Sequence, residues 1–233
     1  MPGRYILEIS VESVEAALGA ERGGAQRIEF CSHLREGGTT PGADLLRGMR
    51  ERVRLPIFSM IRPRGGNFVY SDDEFAAMQS DIETAKQLRM EGIVLGLLSA
   101  DGRVDVERTR QLVEQARPLQ VTFHRAFDEC SDLREALEDV IKTGATRVLS
   151  SGGKRTAPEG LDVLGELVRI ADKRITVMPG SGLHAGNIRE AVAKTGAWEY
   201  HAGLSSVVED PRGNLPKFEV EVNKLAVALR DRN

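Results

Sequence analysis

Cysteine is almost absent from this 233-residue chain, which has only Cys31 and Cys130. Two thiols so far apart in sequence make no disulfide framework. Charge of one sign is also lacking: 32 Lys and Arg stand against 35 Asp and Glu, a formal net charge of −3. No basic face dominates, so no nucleic-acid partner is expected. No apolar run approaches the roughly 20 residues that span a bilayer, so no membrane partner is expected either. The stretch Met1 to Ser10 lacks the basic, apolar and small-residue regions of a signal peptide, and the expected location is the cytoplasm. No proline- or serine-rich linker divides the chain, so residues 1–233 read as one domain.

What the chain does have is a near-uninterrupted alternation of β-rich apolar runs and helical patterns. Strands are predicted at Tyr5–Ile9, Arg27–Phe30, Ile57–Ile61, Gly92–Leu97, Gln120–Ala126, Arg147–Ser150, Ile175–Met178 and Glu199–His201. Helices are predicted at Val14–Arg22, Ala43–Arg52, Asp72–Arg89, Val104–Ala116, Leu133–Thr143, Leu161–Ala171, Asn187–Thr195 and Pro216–Leu229. Ser71 with Glu74 forms a capping box. Thr40-Pro41 reads as a cap followed by a first-turn proline. Gly23, Gly144 and Gly196 read as left-handed helix ends. Eight strand–helix units in this length predict a single (β/α)8 TIM barrel. A doubly wound sheet is the runner-up, but Glu8-Ile9-Ser10-Val11 is no dinucleotide turn.

Barrel enzymes carry their sites at the C-terminal strand ends, and those ends are polar here. The most informative one is Ile61-Arg62-Pro63-Arg64-Gly65-Gly66. Its proline and glycines fix the direction of two guanidiniums, which suit carboxylates and phosphates. Glu8 and Glu29 lie within apolar strands. Either each ends its strand in solvent, or it points inward and needs a partner, for which Arg62, Arg64 and Arg125 are available. A buried ion-pair network without chemistry is the alternative to a site. His124 and Arg125 alternate across the fifth strand, so His124 is expected to face inward, with Asp128 close behind. It is either a core histidine with one backbone bond or an acid, base or ligand. Ser151 and Gly152 after the sixth strand, and Gly180 and Gly182 after the seventh, are expected to approach an anion through backbone N–H groups, unless these turns simply need glycine. His201 ends the eighth strand. Cys31 and Cys130 sit at or just past strand ends. Two thiolates would suit Cu(I), but the spacing contains no Cys-x-x-Cys motif to support such a site.

These same residues resemble a known family. Gly23-Gly24-Ala25-Gln26-Arg27-Ile28-Glu29, Glu36-Gly37-Gly38-Thr39-Thr40-Pro41, the Arg62-Pro63-Arg64-Gly65-Gly66 block and Val121-Thr122-Phe123-His124-Arg125-Ala126-Phe127-Asp128 look like the CutC copper homeostasis family. Glu8-Ile9, Tyr70-Ser71-Asp72, Arg147-Val148-Leu149, Ser151-Gly152, Met178-Pro179-Gly180 and Glu199 with His201 extend the likeness over nearly the whole chain. The resemblance implies a cytoplasmic TIM-barrel protein, commonly a homo-oligomer (dimer or tetramer), that controls copper levels and in some members binds Cu(I). Cys31 falls where the family often has cysteine. Other members have a further cysteine after the first strand, where this chain has Ser10 and Val11.

Two functions are therefore expected to compete. One is copper homeostasis, with Cu(I) held by Cys31 and Cys130. The other is an isomerase- or lyase-type enzyme on a small anionic metabolite, phosphorylated or not. In that reading Glu8, Glu29, His124 and Asp128 handle protons, and Arg62, Arg64, Arg125, Ser151, Gly152, Gly180, Gly182 and His201 hold the substrate.

Overall fold

The computed structural model describes residues 5–208 and 213–230. The remaining positions of the 1–233 span lie outside the described residues. The strands are β1 (Ile6–Val11), β2 (Arg27–Phe30), β3 (Ile57–Met60), β4 (Gly92–Leu95), β5 (Gln120–Phe123), β6 (Arg147–Ser150), β7 (Thr176–Pro179) and β8 (Glu199–Ala202). The helices are α1 (Val14–Gly23), α2 (Ala43–Arg52), α3 (Asp72–Gln87), α4 (Val106–Ala116), α5 (Leu133–Thr143), α6 (Leu161–Ala171), α7 (Ile188–Thr195) and α8 (Leu215–Arg230). All strand pairs are parallel in the order β7-β6-β5-β4-β3-β2-β1-β8. A parallel bridge from Gly180 to His201 joins the last edges and closes the (β/α)8 barrel. No described helix is long and apolar enough to cross a membrane.

Alternation along each strand divides the residues between two cores. Leu7, Ile9, Ile28, Phe30, Ile57, Ile93, Leu95, Val121, Phe123 and Val148 face outward and are buried with apolar helix residues such as Ala16, Leu112, Leu137 and Leu164. The opposite parity fills the lumen with polar groups, including Glu8, Arg27, Glu29, Arg147, Glu199 and His201, each no more than 7% exposed. A barrel interior is ordinarily layered with branched aliphatics. Phe58 enters the lumen only because Gly92 faces it on the neighbouring strand, where a Cβ would overlap its ring.

Several local expectations are refined. The Ser71–Glu74 capping box is present at α3. α2 begins two residues past Pro41, with Gly42 as its cap. Thr40 Oγ1 instead accepts the Arg62 N–H at 2.9 Å. The left-handed residue ending α1 is Gly24 (φ 99°), one position later than expected, whereas Gly144 and Gly196 occupy that role as read. β5 stops at Phe123, because His124 caps a 3-10 turn over Arg125–Glu129.

Candidate functional site

The lower lumen is a closed ionic network. Arg27 pairs with both Glu8 and Glu199, and Arg147 Nε reaches Glu199 Oε2 at 2.9 Å. Both guanidiniums lie over the Phe58 ring, at 4.9 and 5.0 Å from its centroid. Two carboxylates and two guanidiniums balance in charge, which is what makes ionic burial tolerable. The partners of Glu8 are thus Arg27 and His201, correcting the expectation of Arg62, Arg64 or Arg125. Arg27, Arg147 and Glu199 each open a four-residue strand, where a charged side chain reads as a solvated end, so sequence reasoning passed over them as site residues.

Above this network Glu8 Oε1 lies 2.8 Å from His201 Nδ1. Burial would raise the Glu8 carboxyl, but Arg27, His201 and Arg147 overcome it and hold the group well below the ordinary carboxylate range. An ionised carboxylate only accepts, so Nδ1 is the donor and its proton is fixed there. That leaves His201 Nε2 facing Glu29 Oε2 at 3.8 Å. Burial pushes the Glu29 carboxyl up to about 7, with the neighbouring Glu8 charge adding to the rise and His201 opposing it. Burial lowers His201, but Glu29 and Glu8 together raise it above its usual value. Glu29 and His201 thus face one another with both groups raised above their ordinary values, and Glu8 orients the imidazole from behind. Donor atoms of Glu8, Glu29 and His201 lie within 4.8 Å of one another.

Glu29 and His201 floor a cavity of about 870 Å³ at the C-terminal mouth, lined also by Ser10, Met60, Arg62, Phe68 and His124. Arg62 is 4% exposed and has no carboxylate partner among the described residues. Its Nη1 donates to the Glu36 and Gly38 carbonyls at 3.0 and 3.1 Å, and its Nη2 to Gly66 at 2.8 Å. The left-handed Gly38 (φ 85°) and Gly66 (φ 83°) place two of those oxygens. Backbone carbonyls thus position this guanidinium among the described residues that line the cavity. His124 Nδ1 accepts the Ala126 N–H at 3.1 Å, which puts the ring proton on Nε2. Burial, helped by the Arg62 charge, lowers His124 to about 3 and keeps it neutral. Gly96 leaves room for its ring, which a Cβ there would overlap.

The other expected site residues are disposed differently. Arg64 does not line the cavity: its Nε meets Glu74 Oε1 at 2.5 Å and its guanidinium covers Tyr70. The paired arginines therefore part, one to the cavity and one to the loop before α3. Asp128 is gripped by Ser150 Oγ, Ser151 N and Oγ, Gly153 N and Arg125 Nε, at 2.6 to 3.1 Å. Gly152 N donates to Ser150 Oγ at 2.8 Å. The glycine loop after β6 does cradle an anion, but the anion is the protein's own Asp128, which corrects the reading of Ser151 and Gly152 as substrate amides. Arg125 and Asp128 lie at the cavity edge with these bonds already made. Gly180 N donates to the Ser150 carbonyl at 2.9 Å, and a Cβ at Gly180 would meet Leu149 and His201. Gly182 (φ 71°) lines the cavity.

The two thiols lie in separate clusters. Cys31 packs with Phe58, Met60, Val94 and Leu34, and Cys130 belongs to the main core. Burial pushes the Cys31 thiol well up, reinforced by Glu29, Glu12 and Glu8. Burial, with Asp139, Asp128 and Glu129, takes Cys130 up to about 11. Cu(I) ligation calls for thiolates, and these surroundings hold both groups as thiols, apart from one another.

Fold and site together define a (β/α)8-barrel protein with a buried glutamate facing a buried histidine, and an arginine without a carboxylate partner among the described residues, in one rim cavity. The chain belongs to the CutC family, which it matches over residues 5–206. It is 51% identical over 203 residues to a CutC family protein of Chromobacterium violaceum, covering 87% of this chain and 82% of that one. It is 46% identical over 202 residues to the copper homeostasis protein cutC homolog of Homo sapiens, covering 87% and 74% of the two chains. A crystal structure of CutC from Streptococcus agalactiae superposes with a TM-score of 0.80 at 32% identity, covering 85% of this chain and 98% of that one.

Proposed function

We propose that this protein is an enzyme that moves protons on a small anionic metabolite held in the rim cavity. The observation that carries the reading is Arg62, a buried cation fastened by carbonyls and unmatched by any described carboxylate. Carbonyl dipoles orient a guanidinium without cancelling its charge, so an anion entering beside it supplies the missing half of an ion pair. Glu29, raised to about 7, and His201, raised above its usual value, face one another as a donor–acceptor pair suited to general acid–base catalysis. His124 supplies a neutral N–H beside Arg62.

Arg62→Ala is expected to abolish stabilisation by small carboxylates and phosphates in a thermal-shift screen, whereas Arg64→Ala retains it. An equal ligand response in the parent and Arg62→Ala proteins contradicts the reading.

A second reading follows the name of the relatives, and one observation favours it: Cys31 and Met60 share a cluster, and both are soft donors. The closed apolar packing of Cys31 and its raised thiol weigh against it. In anaerobic competition with a chromophoric Cu(I) chelator, Cys31→Ser is expected to behave as the parent does. Loss of tight Cu(I) retention in that variant alone would instead support the copper site.

A further inference from the structure

Three buried polar atoms on cavity-lining residues have no hydrogen-bond partner among the described residues: Glu29 Oε1, Arg62 Nε and His124 Nε2. Buried polar groups are ordinarily satisfied, so three around one cavity call for a ligand with complementary groups. Their chemistry differs. Arg62 Nε–H carries a permanent charge. His124 Nε2–H is a neutral donor. Glu29 Oε1 accepts when ionised.

Arg62 and His124 stand together at Phe68, the guanidinium 4.7 Å and the imidazole 4.9 Å from its ring centroid. A charged donor beside a neutral one suits a ligand with an anion next to an uncharged acceptor. Glu29, on β2, adds a proton acceptor to the same cavity. A neutral imidazole N–H aimed at a carbonyl oxygen stabilises it most when that oxygen gains charge, as in an enolate.

We propose, building on the anion-binding acid–base reading, that the cavity takes 2-oxo carboxylates and exchanges the proton on the carbon next to the keto group. Arg62 meets the carboxylate and His124 Nε2–H meets the keto oxygen. The C3–H bond breaks and its proton passes to Glu29. The freed electron pair forms the C2=C3 double bond, and the carbonyl π pair moves onto the keto oxygen. Return of a proton from Glu29 to C3 restores the keto acid, so no oxidant or further reactant is needed. His201, oriented by Glu8, exchanges the Glu29 proton with solvent.

The test follows 2-oxobutanoate in D2O by proton NMR with the intact protein, against a buffer blank. The expected result is loss of the C3 methylene signal well above the blank, with a rate that rises with pH through about 7. Glu29→Gln should slow the exchange about a hundredfold or more while 2-oxobutanoate still raises the melting temperature. His124→Ala should slow it too, with partial rescue in His124→Gln, whose amide keeps a donor. Exchange at the parental rate in Glu29→Gln overturns the proposal. Equal thermal stabilisation by butanoate and 2-oxobutanoate, with no exchange above the blank, also overturns it and leaves the anion site standing. Binding of neither compound, nor of any other small carboxylate or phosphate, removes the anion site and this proposal together.

Discussion

Replacing Arg27 with methionine is expected to destabilise the protein by about 3–5 kcal/mol, the usual cost of stripping one partner from a buried ion pair. Glu8 and Glu199 would both lose their shared guanidinium inside the lumen. Arg147 still reaches Glu199, but Glu8 would keep only His201. The effect on the site follows from the same loss: Glu8 no longer stays ionised by Arg27, and the His201 proton is no longer pinned on Nδ1. Urea unfolding of Arg27→Met beside Arg22→Met measures it. Arg22 pairs with Glu219 at the surface with its side chain 58% exposed, so its loss should cost about 1 kcal/mol or less. Similar unfolding midpoints for the two variants would mean that the lumen network is not a stability element.

The second large effect is on pH dependence. Glu29 is raised from an ordinary value of 4.5 to about 7, so the folded protein keeps a proton there that the unfolded chain has lost. Its contribution to stability is full below pH 4.5 and is lost as pH rises through 7, at about 1.4 kcal/mol per unit. His124 is lowered from 6.5 to about 3, so its contribution is full above pH 6.5 and is lost as pH falls towards 3. Between pH 4.5 and 6.5 the two slopes oppose one another. Glu29→Gln removes one of them. Relative to the parent, this variant should therefore gain about 3 kcal/mol of stability between pH 4.5 and 8. Chemical denaturation across that range checks the difference. A parent–variant difference that does not change with pH would place Glu29 in the ordinary carboxylate range.

Most of the barrel was legible because its helices announce themselves. Ala43–Arg52, Leu133–Thr143 and Leu161–Ala171 form at the bounds their apolar spacing predicts. Strand ends were less legible, because side-chain capping decides them. His124 turns the chain at Ala126, where alternation alone continues β5. The site was half legible. Glu29, Arg62, His124 and His201 do line the rim cavity, with Glu8 against the far side of His201. Arg64 does not, because Glu74 at the start of α3 captures it. Asp128 fills the glycine loop that was read as open to substrate, and a sequence does not show which anion occupies such a loop. Arg27, Arg147 and Glu199 were hidden by position. In β2, β6 and β8 the first side chain already faces the lumen, where Arg27, Arg147 and Glu199 meet.

The most direct test of an acid–base site in this lumen is a carbon-13 NMR titration of protein labelled at the glutamate side-chain carboxyl. The signal assigned through Glu29→Gln is expected to titrate with a midpoint near 7, while the Glu8 signal stays ionised far below the ordinary carboxylate range. A Glu29 midpoint near 4.5 would contradict the account, because no proton would then be available to the cavity at neutral pH.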